Sequence, residues 1–454
     1  MKNQWDDAVC SAGFSFKSLK IRVQCDTMIS CRVLGGSFWR WIMEQIFIKN
    51  IKINKVRHLK NLDIPVCDNK CKHIILTGQN GSGKTSILDA IAVFLNSIVM
   101  GKHPEDIFAM INDTQKYMEY NKNSDERRLQ QYEEKKNLNR NYSKITDGVW
   151  LDFNTSFVNI QKQFETGQFV VAYYKADRVF SSIEPKHVEK VQLKSDYAID
   201  ETPREEFIKY LLDLKMTQAL AVSGGKKDKA DTIRIWFEKF DNLLKRIFND
   251  KSVRLEFDEE TFKFSIVMDE REPFDFNTLS SGYAAILDIV VDLIIRMEKQ
   301  LNRSFDFTIP GIVLIDEIET HLHLDLQKKI MELLTTVFPN IQFVVSSHSP
   351  FILNSLDNVI IYDLENKMLV ENGLSDVPYS GIVEGYFKAD ELSDELRDKF
   401  ETYKELANKP NLDDDDYEQI ADLEMYLDEI PDYLALNLTT EYQELKAKLR
   451  SREA

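Results

Sequence analysis

Gly78-Gln79-Asn80-Gly81-Ser82-Gly83-Lys84-Thr85 has the residue types and spacing of a phosphate cradle. Glycines let backbone N–H groups close around phosphate oxygens, and a helix starting there adds the positive end of its dipole. On this reading Gly78, Asn80, Gly81, Ser82, Gly83, Lys84, Thr85 and Ser86 bind ATP. Lys84 reaches the β- and γ-phosphates, and the Thr85 hydroxyl is a ligand for Mg2+. A second group, Asp316-Glu317, ends the apolar run Gly311-Ile312-Val313-Leu314-Ile315. Asp316 is the other Mg2+ ligand, and Glu317 is the general base that polarises the attacking water. A third, Ser346-Ser347-His348-Ser349-Pro350, follows Ile341-Gln342-Phe343-Val344-Val345. A histidine on such a strand-end loop is placed to bond both the γ-phosphate and that water.

These groups need rigid supports. Unbroken apolar runs are what a central parallel sheet demands, because both its faces are covered. Ile74-Ile75-Leu76-Thr77 is expected to be the strand before the cradle, and a helix with Ile87, Leu88, Ile91, Ala92 and Leu95 inward is expected after it. A further strand is expected over Phe169-Val170-Val171-Ala172-Tyr173-Tyr174. Leu279-Ser280-Ser281-Gly282, before the apolar helix Ala284 to Arg296, supplies a second helix start suited to phosphate.

The order of phosphate loop, Leu-Ser-x-Gly segment, acidic strand and histidine resembles the ABC ATPases. From Met43 to about Leu364 the resemblance is to their RecF/SMC/OLD-like branch, carried also by Val56-Arg57-His58-Leu59-Lys60 and Asp316-Glu317-Ile318-Glu319-Thr320-His321-Leu322-His323. Ile318 stands where that branch usually has Pro, and Ser281 and Tyr283 replace the commoner Gly and Gln of the signature. The resemblance implies an α/β, P-loop ABC-type fold with a mixed central sheet. It also implies that Leu279, Ser280, Ser281 and Gly282 of one subunit close over the ATP held by Lys84 of another. A homodimer or higher even-numbered oligomer is then needed for hydrolysis. No clear Q-loop glutamine is present, and the segment with Asp177 and Arg178 is the weak candidate for that lever. His321 and His323 have metal-ligand spacing, but they fall where a dimer-contact loop is expected.

Around this core, Lys102 to Asp147 is a polar insertion with nine Lys/Arg and nine Asp/Glu. Arg204 to Ala221 and Lys227 to Asp250 carry helical periodicity too short for a coiled-coil arm. Ser252 to Met268 alternates around Asp258-Glu259-Glu260 as a hairpin. From Asp390 onward there are 20 Asp/Glu and 8 Lys/Arg, a net −12 of the chain's −17. That tail is expected to be helical, broken at Pro410 and Pro431, with Asp413 to Asp416 a solvated turn. It has almost no strand pattern, which argues against a fused TOPRIM nuclease. The expected division is a leader 1–42, an N-terminal ATPase part 43–100, the insertion 101–150, a helical lobe with hairpin 151–270, a C-terminal ATPase part 271–388 and the tail 389–454. The leader reads as foreign to the rest, with Met43 as the natural start.

With 43% hydrophobic and 29% charged residues the composition is that of a soluble protein with a sizeable core. No stretch reaches the roughly 20 apolar residues of a membrane span. Five cysteines, none beyond Cys71, suit a reducing cytoplasm, and Cys67 and Cys71 lack a second pair for zinc. The motif set without a fused nuclease resembles ATPase subunits of anti-phage systems of the Septu, retron-associated and PARIS kinds. That implies a separate effector protein, a nuclease or toxin, with DNA left open as a further partner. The alternative is a RecF-like repair clamp on duplex DNA. A transporter subunit is disfavoured by the missing Q-loop and the RecF-like opening.

Overall fold

In a computed structural model the chain is described for residues 45–102, 148–386, 394–429 and 436–453, apart from Val179, Ser181, Glu184, Lys186, Arg303 and Asp306. The leader, most of the polar insertion and Pro431 lie outside the described residues. Strand β1 (Ile48–Val56) pairs antiparallel with β2 (Leu59–Pro65) and with β4 (Val149–Phe153). The central sheet uses β3 (His73–Thr77), β5 (Val170–Tyr174), β8 (Gly311–Ile315), β9 (Ile341–Ser346), β10 (Val359–Asp363) and β11 (Met368–Glu371). Its order is β11-β10-β3-β9-β8-β5, with every neighbouring pair parallel except the edge pair β10–β11. This is the mixed sheet the resemblance implies.

Each parallel strand divides its side chains between two cores, because successive Cβ atoms point to opposite faces. Ile74, Leu76, Ile312, Leu314, Val344, Ile360 and Tyr362 face the layer closed by helix α1 (Lys84–Val99) and the antiparallel sheet. Ile75, Val313, Ile315, Phe343, Val345, Val359 and Ile361 face the opposite layer. That second layer is built by α3 (Phe207–Ser223), α4 (Lys227–Phe248), α5 (Ser281–Leu301) and α6 (Leu324–Val337). The short α2 (Phe157–Glu165) packs against α1 and is capped by Ser156, whose side chain accepts from Asn159 N. The hairpin falls as expected, with β6 (Arg254–Asp258) and β7 (Lys263–Val267) around Asp258-Glu259-Glu260.

Gln342 stitches the two sheets together. Its fully buried side chain accepts from Ile48 N at 2.7 Å and donates to Ile48 O at 3.2 Å and Lys72 O at 2.8 Å. A polar residue inside an apolar run is tolerated here because each of its bonds serves a backbone group left over where two sheets meet.

The tail folds around a separate small core, with α7 (Asp394–Asn408), α8 (Asp414–Asp428) and α9 (Leu436–Glu453) burying Phe400, Tyr403, Leu423, Leu427 and Tyr442. The expected solvated turn at Asp413 to Asp416 is instead the start of α8. Asp413 accepts from Asp416 N, Asp416 accepts from Asp413 N, and Lys409 bonds the Asp416 carboxylate. Carboxylates at a helix N-terminus satisfy orphan donors and favour the dipole, so this charge run is helix-starting chemistry.

Candidate active site

β3 delivers the phosphate loop. Gly78, Gly81 and Gly83 all lie at positive φ (129°, 86° and 101°), where a side chain is strained, so the loop's curvature depends on its glycines. A methyl group on Gly83 would also stand 2.9 Å from Leu59 Cδ1. Lys84 opens α1 and is buried, donating to Gly78 O at 2.8 Å and Gln79 O at 3.2 Å. Burial lowers its pKa from the ordinary lysine value, against the opposing pull of Glu317, Glu319, Asp316 and Asp363. Thr85 is exposed at the start of the helix, and the hydroxyls of Thr77 and Ser82 are buried without a hydrogen-bond partner.

The strand order sets β9 between β3 and β8, so the carboxyl ends of the phosphate, histidine and acidic strands lie side by side. Open parallel sheets bind ligands at such ends. Asp316 is buried at the end of β8, and its Oδ1 accepts from Ser346 Oγ at 2.5 Å. The same Ser346 oxygen accepts from Glu317 N at 2.7 Å, so one hydroxyl of β9 fixes both acidic residues. Glu317 is half-buried at φ 44°, a left-handed conformation that costs a non-glycine residue about 1–2 kcal/mol. Its carboxylate accepts from Thr320 Oγ1 at 3.3 Å.

His348 is half-buried, its backbone N–H donates to the Glu319 carboxylate, and its Nε2 is buried with no hydrogen-bond partner. Burial and the nearby Lys84 charge lower the imidazole's pKa, while Glu317 pulls it up. Lys84, Glu317 and His348 are therefore within electrostatic reach of one another. A buried imidazole nitrogen left without a partner beside a lysine and a carboxylate suits a phosphate or water ligand. Burial raises the pKa of Glu319, whose carboxylate anchors the loop that carries His348.

The signature segment lies in different surroundings. Ser280 is exposed and precedes α5 with no side-chain capping bond, which leaves its hydroxyl unused by its own helix. Ser281 is exposed, Leu279 half-buried and Gly282 buried. A methyl group on Gly282 would stand 3.0 Å from His321 O and 3.4 Å from Leu326 Cδ1, so the segment abuts the loop after the acidic pair. α5 begins three residues earlier than the periodicity indicated. Tyr283, in place of the commoner Gln, lies 4.3 Å ring to ring from Phe248 of α4 and ties the signature helix to the helical lobe. His321 and His323 are exposed, and no group of three or more metal-ligating residues occurs among the described residues.

Sequence reasoning gave no role to Ser346 or Glu319. The signal for Ser346 was a polar residue closing an apolar run beside an acidic strand. Arg178, only a weak candidate from sequence, is buried and donates to Asp316 O at 2.7 Å and Glu317 O at 3.0 Å.

The family model described as AAA domain, putative AbiEii toxin, Type IV TA system matches residues 74–354. The chain belongs to this family. The matched AAA domain runs from the phosphate strand to the one-turn helix Pro350–Leu353 beyond His348, so the phosphate loop, the signature segment, the acidic pair and His348 lie within it, whereas Val56-Arg57-His58-Leu59-Lys60 lies before it. Septu protein PtuA of Bacillus mycoides (strain KBAB4) is 26% identical over 395 residues, covering 84% of this chain and 50% of that protein. DNA replication and repair protein RecF of Rickettsia massiliae (strain Mtu5) is 32% identical over 173 residues, 35% of this chain and 45% of that RecF. The chain thus spans about half the length of the curated relatives it matches. Both kinds of relative agree with the RecF-like and Septu-like resemblance of the motifs. Among solved structures, an SMC head bound to the C-winged helix domain of ScpA covers 73% of this chain and 98% of that one at 14% identity, with a TM-score of 0.38. At that score the fold rests on the strand order above. This is an AAA/ABC-type ATPase domain related to PtuA and RecF, and among the described residues no helix is long and apolar enough to cross a membrane.

Proposed function

We propose that the chain binds and hydrolyses ATP in sites completed by a second copy, and that this cycle controls a separate effector, a nuclease or toxin, in anti-phage defence. The observation that carries the ATPase reading is the convergence of Lys84, Asp316, Glu317 and His348 on the carboxyl ends of β3, β8 and β9. Gly78, Asn80, Gly81, Ser82, Gly83, Lys84, Thr85 and Ser86 cradle the phosphates of ATP. Glu317 holds the attacking water by accepting its hydrogen bond, and His348 Nε2 bonds the γ-phosphate. Burial and the Lys84 charge favour the neutral imidazole, which can donate from one nitrogen while the other accepts.

The residues present suit a magnesium ion. Thr85 offers an exposed hydroxyl, and Asp316 keeps Oδ2 free of the Ser346 bond. Mg2+ commonly takes one or two protein ligands and completes its shell with water and phosphate. When bound it would neutralise charge on the β- and γ-phosphates.

Trans completion is supported by Ser280, whose hydroxyl is exposed and not spent on its own helix. Leu279, Ser280, Ser281 and Gly282 would bring a helix start to the γ-phosphate held by the partner copy. The likeness to Septu protein PtuA over 84% of this chain favours the effector reading over a RecF-like repair clamp, which matches 35%. Glu317→Gln should trap the ATP-bound assembly. Isolated with ATP from its own host, the variant is expected to bring a stoichiometric nuclease or toxin. Duplex DNA without a protein partner would favour the repair clamp.

A further inference from the structure

A strand that stops leaves the carbonyls beyond it without ladder partners, and inside a protein each needs a donor. β8 stops at Ile315, and the next three carbonyls converge on one side chain. The Arg178 guanidinium, on a residue only 6% exposed, donates to Asp316 O at 2.7 Å, Glu317 O at 3.0 Å and Ile318 O at 3.4 Å. It also donates to Lys175 O of its own loop at 3.1 Å. Only a planar fork of fixed donors can span consecutive carbonyls in this way, which lysine's point charge cannot. On the opposite side Ser346 takes Glu317 N, and Ser346 O takes Ile318 N at 3.2 Å. The left-handed Glu317 is thus gripped from two sides.

The loop that carries Arg178 has a second tether. Ser182 N donates to Asn277 Oδ1 at 3.2 Å, and Asn277 Nδ2 donates back to Ser182 O at 3.5 Å. Asn277 stands two residues before Leu279 of the signature. Asp288 of α5, fully buried and paired with Arg204 at 2.5 Å, adds its charge to the field on Arg178. One loop therefore bonds the backbone of the hydrolytic pair at one end and the approach to the signature at the other.

We propose that Arg178 is a positioning residue for hydrolysis, aiming Glu317 through its backbone, and that the bonds between Ser182 and Asn277 link it to the placement of the signature segment. The inference deepens the ATPase reading above and rests on it. A partner closing on Leu279–Gly282 would move Asn277, and the movement would reach the carbonyls of Asp316 and Glu317 through Ser182 and Arg178. Binding of ATP itself belongs to the phosphate loop, so affinity and turnover should separate.

The test uses the full chain with Arg178→Gln, Arg178→Lys and Asn277→Ala, beside wild type and Glu317→Gln. Affinity is read with a fluorescent ATP analogue and turnover by phosphate release. Arg178→Gln is expected to keep its affinity and lose about 100-fold in kcat, the scale of a small misplacement at a reacting centre. Arg178→Lys should not recover it. Asn277→Ala, at an exposed position, should lose about fivefold in kcat at unchanged KM. Arg178→Gln turning over within about threefold of wild type, or losing affinity as much as kcat, would overturn the proposal. If both Arg178 variants fail to fold, Asn277→Ala decides, and an unchanged kcat overturns the coupling. A wild type that fails to hydrolyse ATP, or a Glu317→Gln variant as fast as wild type, would instead remove the ATPase reading beneath it.

Discussion

At the scale of single residues, the proposed function separates groups that would bind ATP from groups that would turn it over. Lys84→Ala should abolish ATP binding, whereas Glu317→Gln should keep it and lower hydrolysis by about 100-fold or more, measured by nucleotide titration and phosphate release. A second titratable group matters to stability. His73 is buried at the start of β3, its Nδ1 accepts from Phe343 N at 3.2 Å, and burial lowers its pKa to about 4. The unfolded histidine binds a proton below about pH 6.5 while the folded one does not until about pH 4. Stability from this group is therefore present above pH 6.5 and lost as pH falls through that window. His73→Asn keeps an acceptor for Phe343 N but cannot titrate. Urea unfolding at pH 7 and pH 4.5 should show wild type losing about 2–3 kcal/mol more than the variant. Equal losses would remove His73 as a source of acid sensitivity.

At the scale of elements, the strands bearing the site were legible because a sheet covered on both faces requires unbroken apolar runs. β3, β8 and β9 match those runs within a residue at either end. What escaped was polar chemistry whose partners are distant in sequence. Ser346 serves Asp316 and Glu317 from a neighbouring strand, and Arg178 reaches the same pair across 138 and 139 residues. Neither distance can be seen in a single chain of letters. Asp413 to Asp416 was misread because a charge run and a helix N-terminus share the same residues and differ only in who accepts from whom. Gln342 is a similar case, a polar residue in an apolar run whose three bonds go to Ile48 and Lys72. Gln342→Leu should cost at least about 2 kcal/mol, read by urea unfolding, because it strands buried backbone groups. A loss below about 0.5 kcal/mol would mean that the two sheets hold together without it.

At the scale of the molecule, the proposed function makes the active site a property of two copies. One chain would supply the phosphate loop, the acidic pair and His348, and another would supply Ser280 and Gly282. The chain's excess negative charge lies mostly in the tail, whose net −12 of the total −17 leaves the rest of the chain mildly acidic. The most direct measurement mixes two disabled chains, Lys84→Ala and Ser280→Arg, the second at an exposed position. Each alone should be inactive. Mixed in equal amounts, half the dimers are hybrids and each hybrid holds one intact site, so about a quarter of wild-type hydrolysis should return. A Ser280→Arg chain that hydrolyses ATP at the wild-type rate, or a mixture that stays inactive, would contradict the shared site.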